Sequence, residues 1–140
     1  NGFQTFARYP LLGVGLGNTG FFFAQHLPVI ANRLTEITYV LTYEYYLPNV
    51  KSFWVRLLSE TGLIGFSFFC TWLVVLWRGG KHLERQIDRE FRLFGWMSFF
   101  VIAAFMAEGF SIDSFALPYL WVSLGVVTAA SALARMQSRI

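Results

Sequence analysis

The sequence predicts an all-α fold: a polytopic membrane protein fragment with about three transmembrane helices, preceded by a partly helical extracytoplasmic loop. Three observations predict it. Apolar residues make up 56% of the chain and charged residues only 14%, against about 25% charged in ordinary globular chains. Sixteen Phe and five Trp suit a lipid-facing surface better than a small water-bounded core. The apolar residues also gather into three runs, and the stretch 62–77 carries no charge.

In chain order, residues 1–60 form the extracytoplasmic region. Tyr9-Pro10 and the glycines at 13, 15 and 17 interrupt any regular helix. Phe21, Phe22 and Phe23 can dip into the membrane interface. The tyrosines at 39, 43, 45 and 46 fit the headgroup zone, where an aromatic ring has an apolar body and a wet tip. Residues 61–140 then hold the apolar runs 63–77, 93–107 and 115–134. A span needs roughly 17–25 residues, so the first two require their flanks, 55–59 and 109–112. Between them, the loop 78–92 starts at Gly79-Gly80, which predicts the end of the first helix. Glu84 with Asp88, and Arg85 with Arg89, repeat at helical spacing. Either a short surface helix or a solvated turn satisfies that pattern.

Charge placement sets the orientation. Net charge is +3, and Arg78, Lys81, Arg85, Arg89 and Arg92 lie together between the first two runs. A soluble chain with this balance would point to nucleic acid. Here the Lys/Arg bias of cytoplasmic loops explains it, with no nucleic-acid partner. Loop 78–92 and the C-terminus are then cytoplasmic, and residues 1–60 and the Asp113 link lie on the other side. The single Cys70 forms no intramolecular disulfide and no metal pattern. The chain opens at Asn1 without Met, basic n-region or cleavage site. This predicts the C-terminal part of a longer polytopic protein, whose other helices can complete a site.

Several residues can carry chemistry on the extracytoplasmic side. Gly13, Gly15 and Gly17 run G-x-G-x-G, without the strand and spacing of a nucleotide fingerprint. A tight turn where backbone meets backbone and a phosphate-holding nest of N–H groups both remain open. Ser52, Arg56 and Glu60 are spaced i, i+4, i+8, one stripe on a helix, beside a second stripe of Lys51, Val55 and Ser59. One reading is interfacial snorkelling with a local ion pair. The other is a diphosphate clamp, with Arg56 and Lys51 as ligands, Glu60 orienting Arg56, and Arg33 in support. His26 is a lone histidine and a candidate base. Glu108, near the outer end of the second span, is an acid at membrane depth and a candidate site residue. No Gly-x-Ser-x-Gly, HExxH or CxxC occurs, so neither a serine triad nor metal hydrolysis is indicated.

The segment Pro10-Leu11-Leu12-Gly13-Val14-Gly15-Leu16-Gly17-Asn18, followed by Leu57-Leu58-Ser59-Glu60-Thr61-Gly62-Leu63-Ile64-Gly65, resembles the O-antigen ligase/polymerase family. Pro118-Tyr119-Leu120-Trp121-Val122-Ser123-Leu124-Gly125 is similar to the family's final span. The resemblance covers most of this chain and the C-terminal part of a typical member. It implies a multi-pass enzyme of the bacterial inner membrane that takes a glycan from an undecaprenyl-diphosphate carrier. The acceptor is lipid A core, another repeat unit or a protein. Arginines hold the diphosphate, and neither metal nor other cofactor is required. Many members read His-Asn about nine residues before the glutamate, where this chain has Lys51-Ser52. That departure turns the expectation from a ligase towards a polymerase or a divergent exopolysaccharide enzyme. Of the candidate bases, Glu60, Glu108 and His26, only Glu60 falls in the quoted motifs. The rival expectation is a non-catalytic polytopic protein, such as a component of a polysaccharide transporter.

Overall fold

A computed structural model of the chain describes residues 2–22, 50–112, 114 and 116–137. Among them the structure is all-helical, with no strand. The helices are α1 (Gly2–Arg8), α2 (Phe53–Glu84), α3 (Arg89–Glu108) and α4 (Pro118–Gln137), with a 3-10 turn at Thr19–Phe22. Each of α2, α3 and α4 is long and apolar enough to cross a membrane. The three expected spans are therefore present, and the chain is a membrane protein.

The helix ends differ from those the apolar runs suggest. Gly79-Gly80 does not end α2, which continues to Glu84. The two glycines instead sit where neighbouring helices press close. A Cβ on Gly80 would collide with the Ser98 side chain, and one on Gly79 would lie 3.2 Å from the Ser131 hydroxyl. Interior glycine costs a helix about 1 kcal/mol, and close approach of helices across small residues offsets it. No separate surface helix forms after it. Residues 85–88 make a turn, and Asp88 caps α3 by accepting the Glu90 N–H at 2.9 Å. The second span therefore gains its length at 89–92. The flank 109–112 is not helical, and the Gly109 carbonyl accepts the Phe53 N–H at 2.9 Å at the start of α2. α4 begins at Pro118, whose missing N–H and fixed φ suit a first helical position.

The chain forms two compact units, Asn1–Phe68 with Gly109–Asp113, and Phe69–Glu108 with Ser114–Ile140. The boundary expected between residues 60 and 61 falls inside α2. In the second unit, Leu83, Val127, Ala130 and Ala134 form a core on which Phe91, Phe94 and Met97 pack. Trp72 and Trp121 meet at 5.4 Å between ring centres, and Trp77 and Phe99 at 4.6 Å.

The first unit is organised by a break in α2. Gly62 has φ 63° and ψ −168°, a region open essentially to glycine alone. In an uninterrupted helix the Leu63 and Ile64 N–H groups would donate to the Ser59 and Glu60 carbonyls. Here the loop after α1 stands in for both sides. The Val14 and Gly15 N–H groups donate to the Ser59 and Glu60 carbonyls at 3.0 and 2.8 Å, while Leu63 and Ile64 donate to the Pro10 and Leu11 carbonyls at 2.8 and 3.2 Å. These four backbone groups at the break thus find partners, as an apolar environment requires. The contact is backbone on backbone. A Cβ on Gly13 would collide with the Glu60 peptide, and one on Gly62 with the Leu11 carbonyl.

Candidate functional site

The break fixes what surrounds Glu60. By holding the Glu60 carbonyl, the glycine loop brings the following 3-10 turn to the same place, and Thr19 from that turn reaches the Glu60 side chain. Glu60 is 1% exposed. Its Oε1 accepts a hydrogen bond from Arg56 Nε at 3.0 Å and from Thr19 Oγ1 at 3.2 Å. Ser59 Oγ lies 3.2 Å from Thr19 Oγ1 and donates to the Arg56 carbonyl at 3.0 Å. Glu60 Oε2 is buried and has no hydrogen-bond partner among the described residues.

The electrostatics follow from burial. An ionised carboxylate removed from water is costly unless paired and hydrogen-bonded. Arg56 supplies the countercharge one turn earlier on α2, and its side chain stays 17% exposed. Arg ahead of Glu is the weaker order for an exposed helix pair. Here the geometry comes from the glycine loop and Thr19, not from helix spacing alone. The carboxylate holds the guanidinium through its Nε. A planar guanidinium held in this way is suited to a phosphate, whose oxygens match its donors.

The structure joins some of the residues expected at a site and separates others. Arg56 and Glu60 are paired, and Gly13 and Gly15 lie against the Glu60 and Ser59 backbone. All three loop glycines have positive φ, 67° at Gly13, 89° at Gly15 and 80° at Gly17. The Gly13, Val14 and Gly15 N–H groups are given to the Tyr9, Ser59 and Glu60 carbonyls, so these three form no phosphate nest. Ser52 does not continue the Arg56–Glu60 stripe, because it precedes the first helical residue and its hydroxyl is 3.5 Å from the Gly109 carbonyl. Lys51 is exposed on the bend before α2. Glu108 belongs to the second unit, where it accepts a hydrogen bond from the Tyr119 hydroxyl. His26 and Arg33, like Asp113 and residues 32–46, lie outside the described residues.

Thr19 is the member that sequence reasoning missed. A lone threonine in a loop carries no periodic signal. Its one clue was its place immediately after the Gly15-Leu16-Gly17-Asn18 segment. Asn18 itself closes the loop, donating from Nδ2 to the Val14 carbonyl at 2.9 Å.

The fold and site define a helical membrane protein with a loop-spliced helix break beside a buried acid–base pair. Comparisons with protein-family models, curated proteins and solved structures gave no match.

Proposed function

We propose that the chain takes part in glycan transfer from a polyprenyl-diphosphate carrier to a hydroxyl acceptor at the extracytoplasmic face of a bacterial inner membrane, as an O-antigen ligase/polymerase-like enzyme. One observation carries this reading. The two sequence blocks behind the resemblance, 10–18 and 57–65, are far apart in the chain, yet they meet in space and splice to each other around Arg56 and Glu60.

In this reaction the bond from the sugar C1 to the diphosphate oxygen breaks and its electron pair leaves with the diphosphate. The acceptor oxygen bonds to C1 and gives its proton to a base. Arg56 stabilises the charge that gathers on the departing diphosphate, an electrostatic contribution that needs no reorganisation when the donor is already fixed. Glu60 Oε1 accepts from Arg56 and Thr19 and so orients Arg56. Lys51, exposed nearby in sequence, supports the anion from the wet side. Glu60, whose Oε2 has no hydrogen-bond partner among the described residues, and His26 are the candidate bases for the proton on this side of the membrane.

The break at Gly62 also favours a second reading, a transporter component, because interrupted helices beside charged groups are common in transporters. The position of the break speaks for the interface instead. The break lies at one end of the uncharged run 61–77, and no acid or base stands in the middle of that run, where a transporter would place its site.

Purified protein in liposomes, supplied with an undecaprenyl-diphosphate glycan and an acceptor, tests the choice. Joined product without added nucleotide is expected. Passage of the lipid-linked glycan across the bilayer with no joined product would replace the enzyme by the transporter.

A further inference from the structure

The turn between α2 and α3 bears a cleft unrelated to the Arg56–Glu60 pair. It measures about 360 Å³ and is lined by Glu84, Arg89, Arg92, Leu93 and Trp96. At ~30 Å³ each, about a dozen waters would fill it, room enough for a small polar headgroup. Arg89, Arg92, Leu93 and Trp96 stand at i, i+3, i+4 and i+7 on α3 and so share one face. Both arginines are exposed. Glu84 closes the cleft as the last residue of α2. Among the described residues, the Arg89, Arg92 and Glu84 side chains form no ion pair or hydrogen bond. Asp88, the other acid of the turn, is spent on capping α3.

The cleft is therefore two guanidinium groups, one carboxylate and an apolar floor. Leu93 is 59% and Trp96 51% exposed, one turn into a membrane-spanning helix, where a Trp ring belongs at the level of lipid headgroups. A purely anionic headgroup would satisfy the arginines and be repelled by Glu84. A headgroup with a phosphate and a primary ammonium satisfies all three. The arginines take the phosphate oxygens, and the ammonium donates to the Glu84 carboxylate. The acyl chains run along Leu93 and Trp96. We propose that this cleft binds the phosphoethanolamine headgroup of a membrane phospholipid, in the leaflet that the Lys/Arg bias makes cytoplasmic.

Methylation of the headgroup nitrogen removes the N–H donors and keeps the charge, so it separates this fit from general electrostatics. The whole protein is purified in detergent. Its retention of phosphatidylethanolamine, the mono- and dimethylated forms, phosphatidylcholine and phosphatidylglycerol, all with the same acyl chains, is read by native mass spectrometry. Retention should fall stepwise along the methylation series, by about tenfold from first to last. Glu84→Gln should erase the difference between the ethanolamine and choline lipids. Arg89→Gln with Arg92→Gln should remove retention of both, and Arg78→Gln with Lys81→Gln, outside the cleft, should change neither. Unaltered melting of each variant shows that the fold is kept. Equal retention of the ethanolamine and choline lipids by the unmodified protein would overturn the proposal. So would tighter binding of phosphatidylglycerol, or displacement of the lipid by equimolar glycerophosphoethanolamine, which would make the cleft a site for a soluble phosphodiester.

Discussion

Arg56, Glu60 and Thr19 depend on one another, and their substitutions should show it. Arg56→Ala is expected to lower glycan transfer by about 10²–10³, the usual consequence of losing one fixed donor to a developing anion. Arg56→Lys keeps the charge but not the planar donor edge, so it should recover only part of the rate; both are read in the liposome assay. Thr19→Val removes a hydroxyl from a buried carboxylate at nearly constant volume, and a hydrogen bond to a charged group is worth about 1.5–3 kcal/mol. Melting of Thr19→Val, Glu60→Gln and the double variant should give non-additive losses, because the two side chains share one bond. Strict additivity would mean that the 3.2 Å contact carries no energy. The sequence showed Arg56 and Glu60 as a pair because both sit on one helix at i, i+4. Thr19 lies 41 positions from Glu60, and nothing in a single sequence links residues so far apart.

Helix α2 shows what apolar patterning reports and what it does not. The run 62–77 located the span, since lipid contact selects side chains along its whole length. The break at Gly62 was hidden because its hydrogen bonds join backbone to backbone and leave no trace except glycine. Gly79-Gly80 presents the converse case. The same residue type that marks a break at 62 permits close helix packing at 79 and 80, and only the neighbours distinguish the two uses. The ends were misplaced for a related reason. Asp88 and Gly109 set them through single hydrogen bonds, not through a periodic pattern. The glycine roles can be tested by graded substitution. Gly17→Ala meets nothing within 4 Å and should cost only the positive-φ penalty, about 1–2 kcal/mol. Gly13→Ala and Gly62→Ala add a collision with backbone, and should either melt at much lower temperature or fail to fold. Equal melting of all three variants would show that the loop does not seat in the break.

At the scale of the whole molecule, the proposed chemistry requires one orientation in the membrane. The Lys/Arg bias predicts the cations of residues 78–92 on the cytoplasmic side, and the proposed function needs Lys51 and Arg56 on the other side, where a lipid-linked glycan would be presented. Composition made the membrane character legible from the outset, since a chain with 14% charged residues and 19% aromatics has little means of covering itself with a polar surface. Side-selective labelling tests this arrangement directly. Lys51→Cys and Lys81→Cys both place a thiol at an exposed position, and Cys70→Ser removes the native thiol from the background. In intact cells, a membrane-impermeant maleimide should modify the thiol at position 51 and not the one at position 81. Modification at 81 alone would put Arg56 in the cytoplasm, away from any glycan carried on the outer leaflet, and would contradict the proposed function.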